Sequence, residues 1–136
     1  MKRLELGEIR ICRRCGRGRA TLITDDGETL AIPLDPARAR TLRAPETESE
    51  MPWLSALVLE RLTQDGGTLE DVVLDVDQGL LRALVSCRRG EEQEIVACTP
   101  QEGVDLANRS GAALYATDEA LAFAAGARAR SGETLH

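Results

Sequence analysis

The sequence predicts a single α+β domain with a mostly antiparallel (mixed) sheet and three to four helices. Its 136 residues fit one domain, and a chain of this length buries enough apolar surface to form a core without disulfides. Apolar runs separated by turn signals predict a group of strands in the first third and a meander in the middle. Helical patterns with capping residues follow each group. We place the domain at residues 1–127 and expect residues 128–136 to form a flexible C-terminal tail.

The first third of the chain predicts three strands joined by tight turns. Apolar residues recur loosely at every second position in the first of them, which is typical of a half-buried strand. The predicted strands are residues 4–11, 20–24 and 29–34. Residues 12–18 predict a glycine-rich turn, and Asp26-Gly27 is suited to a hairpin turn that needs a positive φ. Pro33 has no N–H to donate, so we expect it at a strand end or a sheet edge.

Two helices are predicted next. Pro36 is suited to the first position of a short helix over residues 36–43. Residues 44–50 are acidic and contain a proline, which predicts a surface loop. The second helix begins near Pro52 and ends at Gly66-Gly67. Its apolar stripe, at positions i, i+3, i+4 and i+8, is Leu54, Leu57, Val58 and Leu62.

The second half predicts a three-stranded meander followed by a capped helix. The meander strands are residues 69–76, 80–87 and 94–98. Thr99 begins a capping box, with Pro100 at the first helical position and Glu102 three residues after the cap, and Gly111 ends this helix. A short buried strand over 112–116 and a last helix over 120–127 complete the predicted fold.

The composition excludes several function classes. Imidazole chemistry is nearly excluded, because the only histidine, His136, is the last residue, whereas Ser-His-Asp groups and two-histidine zinc helices need histidines inside the fold. Three aromatic residues are too few for a surface that stacks successive bases of a single strand. The net charge of −6 argues against a general polyanion binder, although a local basic patch can still bind phosphates.

Membrane and secretion signals are also missing from the sequence. No run of about 18 apolar residues is present. The first residues alternate charged and apolar side chains and lack the apolar core of a signal peptide. We therefore expect a cytoplasmic protein with no membrane partner. In a reducing compartment, the four cysteines are not expected to form a disulfide framework.

The cysteines resemble only part of a metal site. Cys12-x-x-Cys15-Gly16 is similar to half of a zinc ribbon, since two residues between thiolates let both reach one ion. The other two, Cys87 and Cys98, lie on successive predicted strands, and a hairpin between those strands puts them at opposite ends. We therefore expect free cysteines and no zinc.

Two pairs of carboxylates are candidates for hydrolytic chemistry. Asp75 and Asp77 alternate along a strand, and Glu102 and Asp105 lie at i and i+3 of a helix, so each pair shares a face. Hydrolysis of phosphodiesters with Mg²⁺ or Mn²⁺ needs converging carboxylates to hold the ion, and it needs no histidine. The candidate metal ligands are Asp75 and Asp77, and the candidate catalytic residues are Glu102 and Asp105. The alternative is two solvated acidic faces.

Five arginines cluster around the first turn. Three of them, Arg13, Arg14 and Arg17, are candidate contacts for nucleic-acid phosphates. Residues 1–45 carry 10 basic and 6 acidic side chains, whereas residues 46–105 carry 4 basic and 14 acidic ones. This asymmetry favours a phosphate-binding end and an acidic end that holds a metal or faces a partner. The alternative is a solvated turn whose arginines pair with acids on a neighbouring element or subunit.

Three segments carry a resemblance to a known family: residues 30–35 (LAIPLD), 51–57 (MPWLSAL) and 97–103 (ACTPQEG). Their order, and the apolar pattern of about residues 4–125, resemble the bifunctional nuclease (DNase/RNase) domain family. The corresponding family segments read L-P-I-W-I-G, R-P-x-T-H-D-L and D-x-R-P-S-D-A. The resemblance implies a bifunctional-nuclease-like fold and metal-dependent hydrolysis of DNA or RNA, with Glu102 as the acid retained at a motif position.

The polar motif positions differ between this chain and the family. Ser55 and Ala56 stand where the family has His and Asp, and Thr99 and Gln101 stand where it has Arg and Ser. Two functions therefore remain open. One is a divergent nuclease that acts on nucleic acid with a divalent metal, in which Asp105, Asp75 or Asp77 assists Glu102. The other is a non-catalytic binding or regulatory module on the same fold, with a homo-oligomeric interface.

Overall fold

The computed structural model describes residues 1–47 and 53–134 of the chain. Its strands are β1 (Lys2–Ile11), β2 (Gly18–Thr24), β3 (Thr29–Leu34), β4 (Thr68–Asp77), β5 (Leu80–Arg89), β6 (Glu92–Cys98) and β7 (Ala113–Ala116). Its helices are α1 (Pro36–Arg43), α2 (Leu54–Gln64), α3 (Pro100–Ser110) and α4 (Asp118–Thr134), with a short 3₁₀ turn at Pro45–Thr47.

The seven strands form one mixed, curled sheet in the order β3-β2-β1-β7-β4-β5-β6. The last strand in the chain, β7, therefore lies in the middle of the sheet. It pairs antiparallel with β1 and parallel with β4, and every other pairing is antiparallel. The predicted α+β class, with a mostly antiparallel mixed sheet and four helices, is confirmed.

The helices pack on one face of this sheet, and the core lies between the two layers. A Cβ added at Gly18 on β2 would lie 2.5 Å from the Cβ of Ala39 in α1, so only glycine lets α1 approach this closely. A Cβ added at Gly103 in α3 would overlap the Cβ of Ala83 on β5. The side chains with almost no exposure in this core include Leu4, Leu22, Leu30, Ile32, Val72, Leu74 and Val104.

Turn chemistry explains most of the strand connections. Gly27 has φ +89°, as the predicted Asp26-Gly27 turn requires. Between β4 and β5, Gln78 and Gly79 have φ of +51° and +77°, the geometry of a two-residue hairpin. Pro33 faces solvent on β3, which is an edge strand, so the prediction for this residue is confirmed.

Two predicted helix boundaries concern the start of α2 and the end of α4. The predicted start of the second helix, Pro52, lies outside the described residues, and α2 begins at Leu54. The last helix continues to Thr134, so the end predicted for this helix at residue 127 is seven residues too early. Alanine and arginine are strong helix formers, and no proline interrupts them, so the helix continues. His136 lies outside the described residues.

Within the residues that the structure describes, no helix is both long and apolar enough to cross a membrane.

Candidate functional site

The best-organised polar group of the fold is centred on Arg38 in α1. Asp35 caps this helix by accepting a hydrogen bond from the Arg38 backbone N–H at 2.8 Å, and Pro36 occupies the first turn. These two residues fix where α1 begins, and Arg38 then falls on the inner face beside Ala39. Its side chain extends between the helices and is only 4% exposed.

The Arg38 guanidinium contacts side chains from α3 and from the start of α2. Its Nη2 donates to Glu102 Oε1, and its Nη1 donates to Asp105 Oδ2 at 2.5 Å and to Ser55 Oγ at 3.3 Å. The guanidinium carbon lies 4.6 Å from the centre of the Trp53 ring, a cation–π contact. We call these residues, together with Arg109, the Arg38 cluster.

Asp105 is the most buried acid of the Arg38 cluster, at 1% exposure. Its Oδ2 accepts from Arg38, from the Ser55 hydroxyl at 2.5 Å and from Arg109 Nε at 2.9 Å. Glu102 is less enclosed, with 31% of its side chain exposed. The Arg38 cluster thus contains two guanidinium groups and two carboxylates, so its formal charges cancel.

A second link joins the same two helix starts. The Gln101 side chain accepts from the Asp35 backbone N–H and donates to Asp35 Oδ2, each at 3.0 Å. Thr99 caps α3 by accepting from the Glu102 N–H at 3.4 Å, and Gly111 ends the helix with φ +74°. The predicted capping box is therefore confirmed on the Thr99 side, and it holds Glu102 and Asp105 toward α1.

The two predicted catalytic residues, Glu102 and Asp105, share one helix face as expected, but that face is directed at Arg38. A divalent metal needs oxygen ligands that are free to coordinate it. Here Asp105 Oδ2 is already held by three donors, two of which are cationic guanidinium groups that repel a metal ion. The residues in this arrangement therefore do not fit a Mg²⁺ or Mn²⁺ ion.

The two predicted metal ligands, Asp75 and Asp77, form a separate group. Arg82 on β5 lies directly opposite Asp75 and bonds it through Nε at 2.8 Å and Nη2 at 3.4 Å. Its Nη1 lies 3.5 Å from Asp77 Oδ2. The two aspartates do share a face, as the sequence predicts, and an arginine lies between them.

This second acidic pair lies on the other side of the sheet from the Arg38 cluster. Val72 and Ala83 face α3, since a Cβ on Gly103 would contact both. Side chains alternate along a strand, so Asp75 and Arg82 face away from α3. The two predicted carboxylate pairs therefore do not converge, and they cannot hold one ion together. Among the described residues, no group of three or more His, Cys, Asp or Glu side chains could hold a metal.

The arginine turn, which we define as residues 12–18, lies beside the start of α1. A Cβ added at Gly16 would contact the Cβ of Pro36 at 3.4 Å, so the turn packs on the first residue of that helix. Arg13, Arg14 and Arg17 are exposed, and within the described part of the chain none of the three forms an ion pair or a side-chain hydrogen bond. The predicted basic turn is therefore present, and its charges are available.

Sequence reasoning missed the role of Arg38 and Trp53. Arg38 is one of three arginines in a short amphipathic helix and carries no motif. A signal was nonetheless available. Arg38 precedes Ala39 and lies four residues before Leu42, on the face that those apolar residues bury. An arginine on the apolar face of a helix indicates a buried acidic partner.

The fold is an α+β domain in which Arg38, Glu102, Asp105 and Arg109 form a cluster of paired charges. A scan against protein-family models and a search of curated proteins found no match to this chain.

Proposed function

We propose that the protein is a non-catalytic module that binds nucleic acid through phosphate contacts of the arginine turn, on a scaffold that resembles a bifunctional nuclease domain. The observation that carries the proposal is the contrast between two groups of charges. Glu102 and Asp105 are engaged by Arg38, whereas Arg13, Arg14 and Arg17 are exposed without acidic partners in the described residues.

The strands that enter and leave the arginine turn add to its positive charge. Arg10 on β1 lies directly opposite Arg19 on β2, a like-charge pair that destabilises a sheet. Arg10 has an exposed partner in Glu8 at 3.1 Å, which offsets only one of the five charges. A bound polyanion relieves this repulsion, so the turn is suited to phosphate contacts.

The aromatic residues indicate which kind of nucleic acid is favoured. Trp53 packs on Arg38, and Tyr115 lies under Arg3, with the guanidinium carbon 5.8 Å from the ring centre. Neither ring forms part of the arginine turn. Without stacking rings beside the basic side chains, binding rests on the phosphate backbone, and a duplex is bound without base recognition.

The first prediction concerns affinity for a short duplex. Replacing Arg13, Arg14 and Arg17 together by glutamine is expected to weaken binding of a fluorescent duplex about tenfold or more at low salt, because three phosphate contacts are lost. Fluorescence anisotropy measures this.

The matched control removes three arginines that have acidic partners. Arg61 and Arg89 pair with Asp65 at 3.5 and 3.4 Å, and Arg88 pairs with Glu70 at 3.2 Å. The control variant with all three changed to glutamine has the same net charge as the test variant, and it should bind the duplex nearly as wild type. Equal losses of duplex affinity in both variants would show that binding depends only on the net charge of the protein.

Metal-dependent hydrolysis is the second candidate function. One observation favours it: Ser55 and Glu102, which stand at motif positions of the resembled family, meet at the same arginine. We expect no cleavage of single-stranded or duplex DNA or RNA with Mg²⁺ or Mn²⁺ above a metal-free control. Cleavage that disappears in Glu102→Gln would establish the nuclease instead. The homo-oligomeric interface expected from the sequence stays a prediction within the proposed module.

A further inference from the structure

The arginine turn also holds a pair of thiols. Cys12 and Cys15 are both exposed. The turn is closed by two backbone hydrogen bonds, from the Gly16 N–H to the Cys12 carbonyl at 2.9 Å and from the Cys12 N–H to the Arg17 carbonyl at 2.8 Å. Gly16 has φ +77°, a conformation that favours glycine. The turn thus fixes both cysteines at one accessible end of the β1–β2 hairpin.

The surroundings of Cys12 favour its thiolate form. The backbone N–H of Cys15 lowers the pKa of Cys12 most, followed by the backbone N–H of Arg14, the Cys15 thiol and the backbone N–H of Gly16. The thiolate is the reactive form of cysteine, so Cys12 is the nucleophile, and a second exposed thiol, Cys15, lies three residues further along in the same closed turn.

The other two cysteines provide an internal contrast. Burial, and then the nearby Glu94, raises the pKa of Cys87. Burial, and then the nearby Glu102, raises the pKa of Cys98. Both are partly buried, and they lie at opposite ends of the β5–β6 ladder, as the sequence predicts. Cys12 is therefore expected to be the most reactive thiol of the chain.

We propose that Cys12 and Cys15 form a thiol–disulfide exchange site for small disulfides that carry carboxylates, such as glutathione disulfide. Arg13 and Arg14 lie between the two cysteines and Arg17 follows them, all three exposed, so an anionic reagent is attracted to the attacking sulfur. A cationic disulfide is repelled by the same side chains.

The thiol–disulfide exchange takes place in two steps. The Cys12 thiolate attacks one sulfur of the small disulfide, its S–S bond breaks, and the departing thiolate takes a proton from water. The Cys15 thiol then loses its proton to water and attacks the Cys12 sulfur of the mixed disulfide, which breaks that S–S bond and releases the second half of the small disulfide as a thiolate. The two protein thiols lose two electrons, and the small disulfide gains them. The product is a Cys12–Cys15 disulfide.

This site stands on the thiols and does not depend on nucleic-acid binding, although the same arginines serve both. It is tested with the reduced full-length chain and no nucleic acid, so failure of either proposal leaves the other standing. The probes are dithiobis(nitrobenzoate), which carries two carboxylates, and cystamine, which carries two ammonium groups.

With the anionic probe at neutral pH, the wild-type chain is expected to react in a fast phase about tenfold faster than the Cys12→Ser variant. Mass spectrometry should then show a chain that has lost two hydrogens and carries no adduct. Cys15→Ser should stop at one adduct, and the control Cys87→Ser/Cys98→Ser should keep the fast phase.

Changing Arg13, Arg14 and Arg17 to glutamine should reduce the ratio of the rate with the anionic probe to the rate with cystamine severalfold, because the positive charge that attracts the anionic probe is removed. The ratio is compared between the variant and the wild type, so the intrinsic reactivities of the two probes cancel. A fast phase that survives in Cys12→Ser overturns the proposal. Stable adducts on both Cys12 and Cys15 in the wild type would also overturn it, and so would an unchanged ratio of the two probe rates in the arginine variant. A fast phase that appears only after a chelator is added would overturn it too, because it would show that a metal occupies the thiols.

Discussion

Replacing Asp105 by alanine is expected to lower the free energy of unfolding by about 3–5 kcal/mol, the usual result of removing one partner of a buried ion pair. Arg38 is 3% exposed and would keep its charge without its buried acid. Ser55 would lose its acceptor as well, and the bond from Arg109 to Asp105 would be lost. Urea denaturation followed by circular dichroism measures the change.

Two further variants of the Arg38 cluster distinguish the stability effect of the unpaired buried charge from that of the other contacts. Ser55→Ala removes one hydrogen bond and should cost about 1 kcal/mol. The double variant Arg38→Met/Asp105→Leu removes both buried charges, and apolar replacement of a buried pair is often close to neutral. It should therefore be more stable than Asp105→Ala, since Glu102 and Arg109 can turn toward solvent. If the double variant is the less stable of the two, the charge pairing is not what stabilises this cluster.

The second large effect is expected where α3 crosses the sheet. Gly103→Val should lower the free energy of unfolding by about 3 kcal/mol, because added atoms at this position overpack the core. A Cβ there would overlap the Cβ of Ala83 and lie 3.1 Å from Val72 Cγ1, and both neighbours belong to the central strands. The strands are held by the sheet on both sides, so α3 must move, and Glu102 and Asp105 move with it. Thermal and urea unfolding both report this change.

A compensating substitution tests whether the collision with Ala83 causes the loss of stability. Ala83→Gly removes the atom that collides, so Gly103→Ala should be better tolerated in the Ala83→Gly background than in the wild type. Alanine has about 1 kcal/mol more helix propensity than glycine, so a loss of stability in Gly103→Ala must come from the collision and not from the helix itself. A stabilised Gly103→Ala in the wild-type background would show that α3 has room at this crossing.

Much of the fold is encoded in local patterns that sequence reasoning can use. The capping box at Thr99, the stop at Gly111 and the hairpin at Asp26-Gly27 are determined by residues a few positions apart, and the structure contains each of them. The pairing of Glu102 with Asp105 on one helix face follows from the helix period in the same way. These features depend on local geometry, so the sequence determines them.

The features that decide function depend on contacts between distant segments. β7 has four residues, and nothing in them indicates that they insert between β1 and β4. Val72 and Ala83 face α3, so strand alternation places Asp75 on the sheet face opposite Glu102. Asp105 pairs with Arg38, which is 67 residues away in the chain, and no residue near Asp105 in the sequence indicates this contact. The helix and strand periods therefore predict which carboxylates share a face, whereas the groups that each pair contacts depend on the fold.

The salt dependence of duplex binding tests the central claim most directly. If three arginines of the turn contact phosphates, a plot of the logarithm of the association constant against the logarithm of the salt concentration should have a slope of about −2.7. The slope should become much less steep in the Arg13→Gln/Arg14→Gln/Arg17→Gln variant and stay near −2.7 in the Arg61→Gln/Arg88→Gln/Arg89→Gln control. A slope that is the same in the wild type and in the turn variant would contradict the account, because the phosphate contacts would then lie elsewhere.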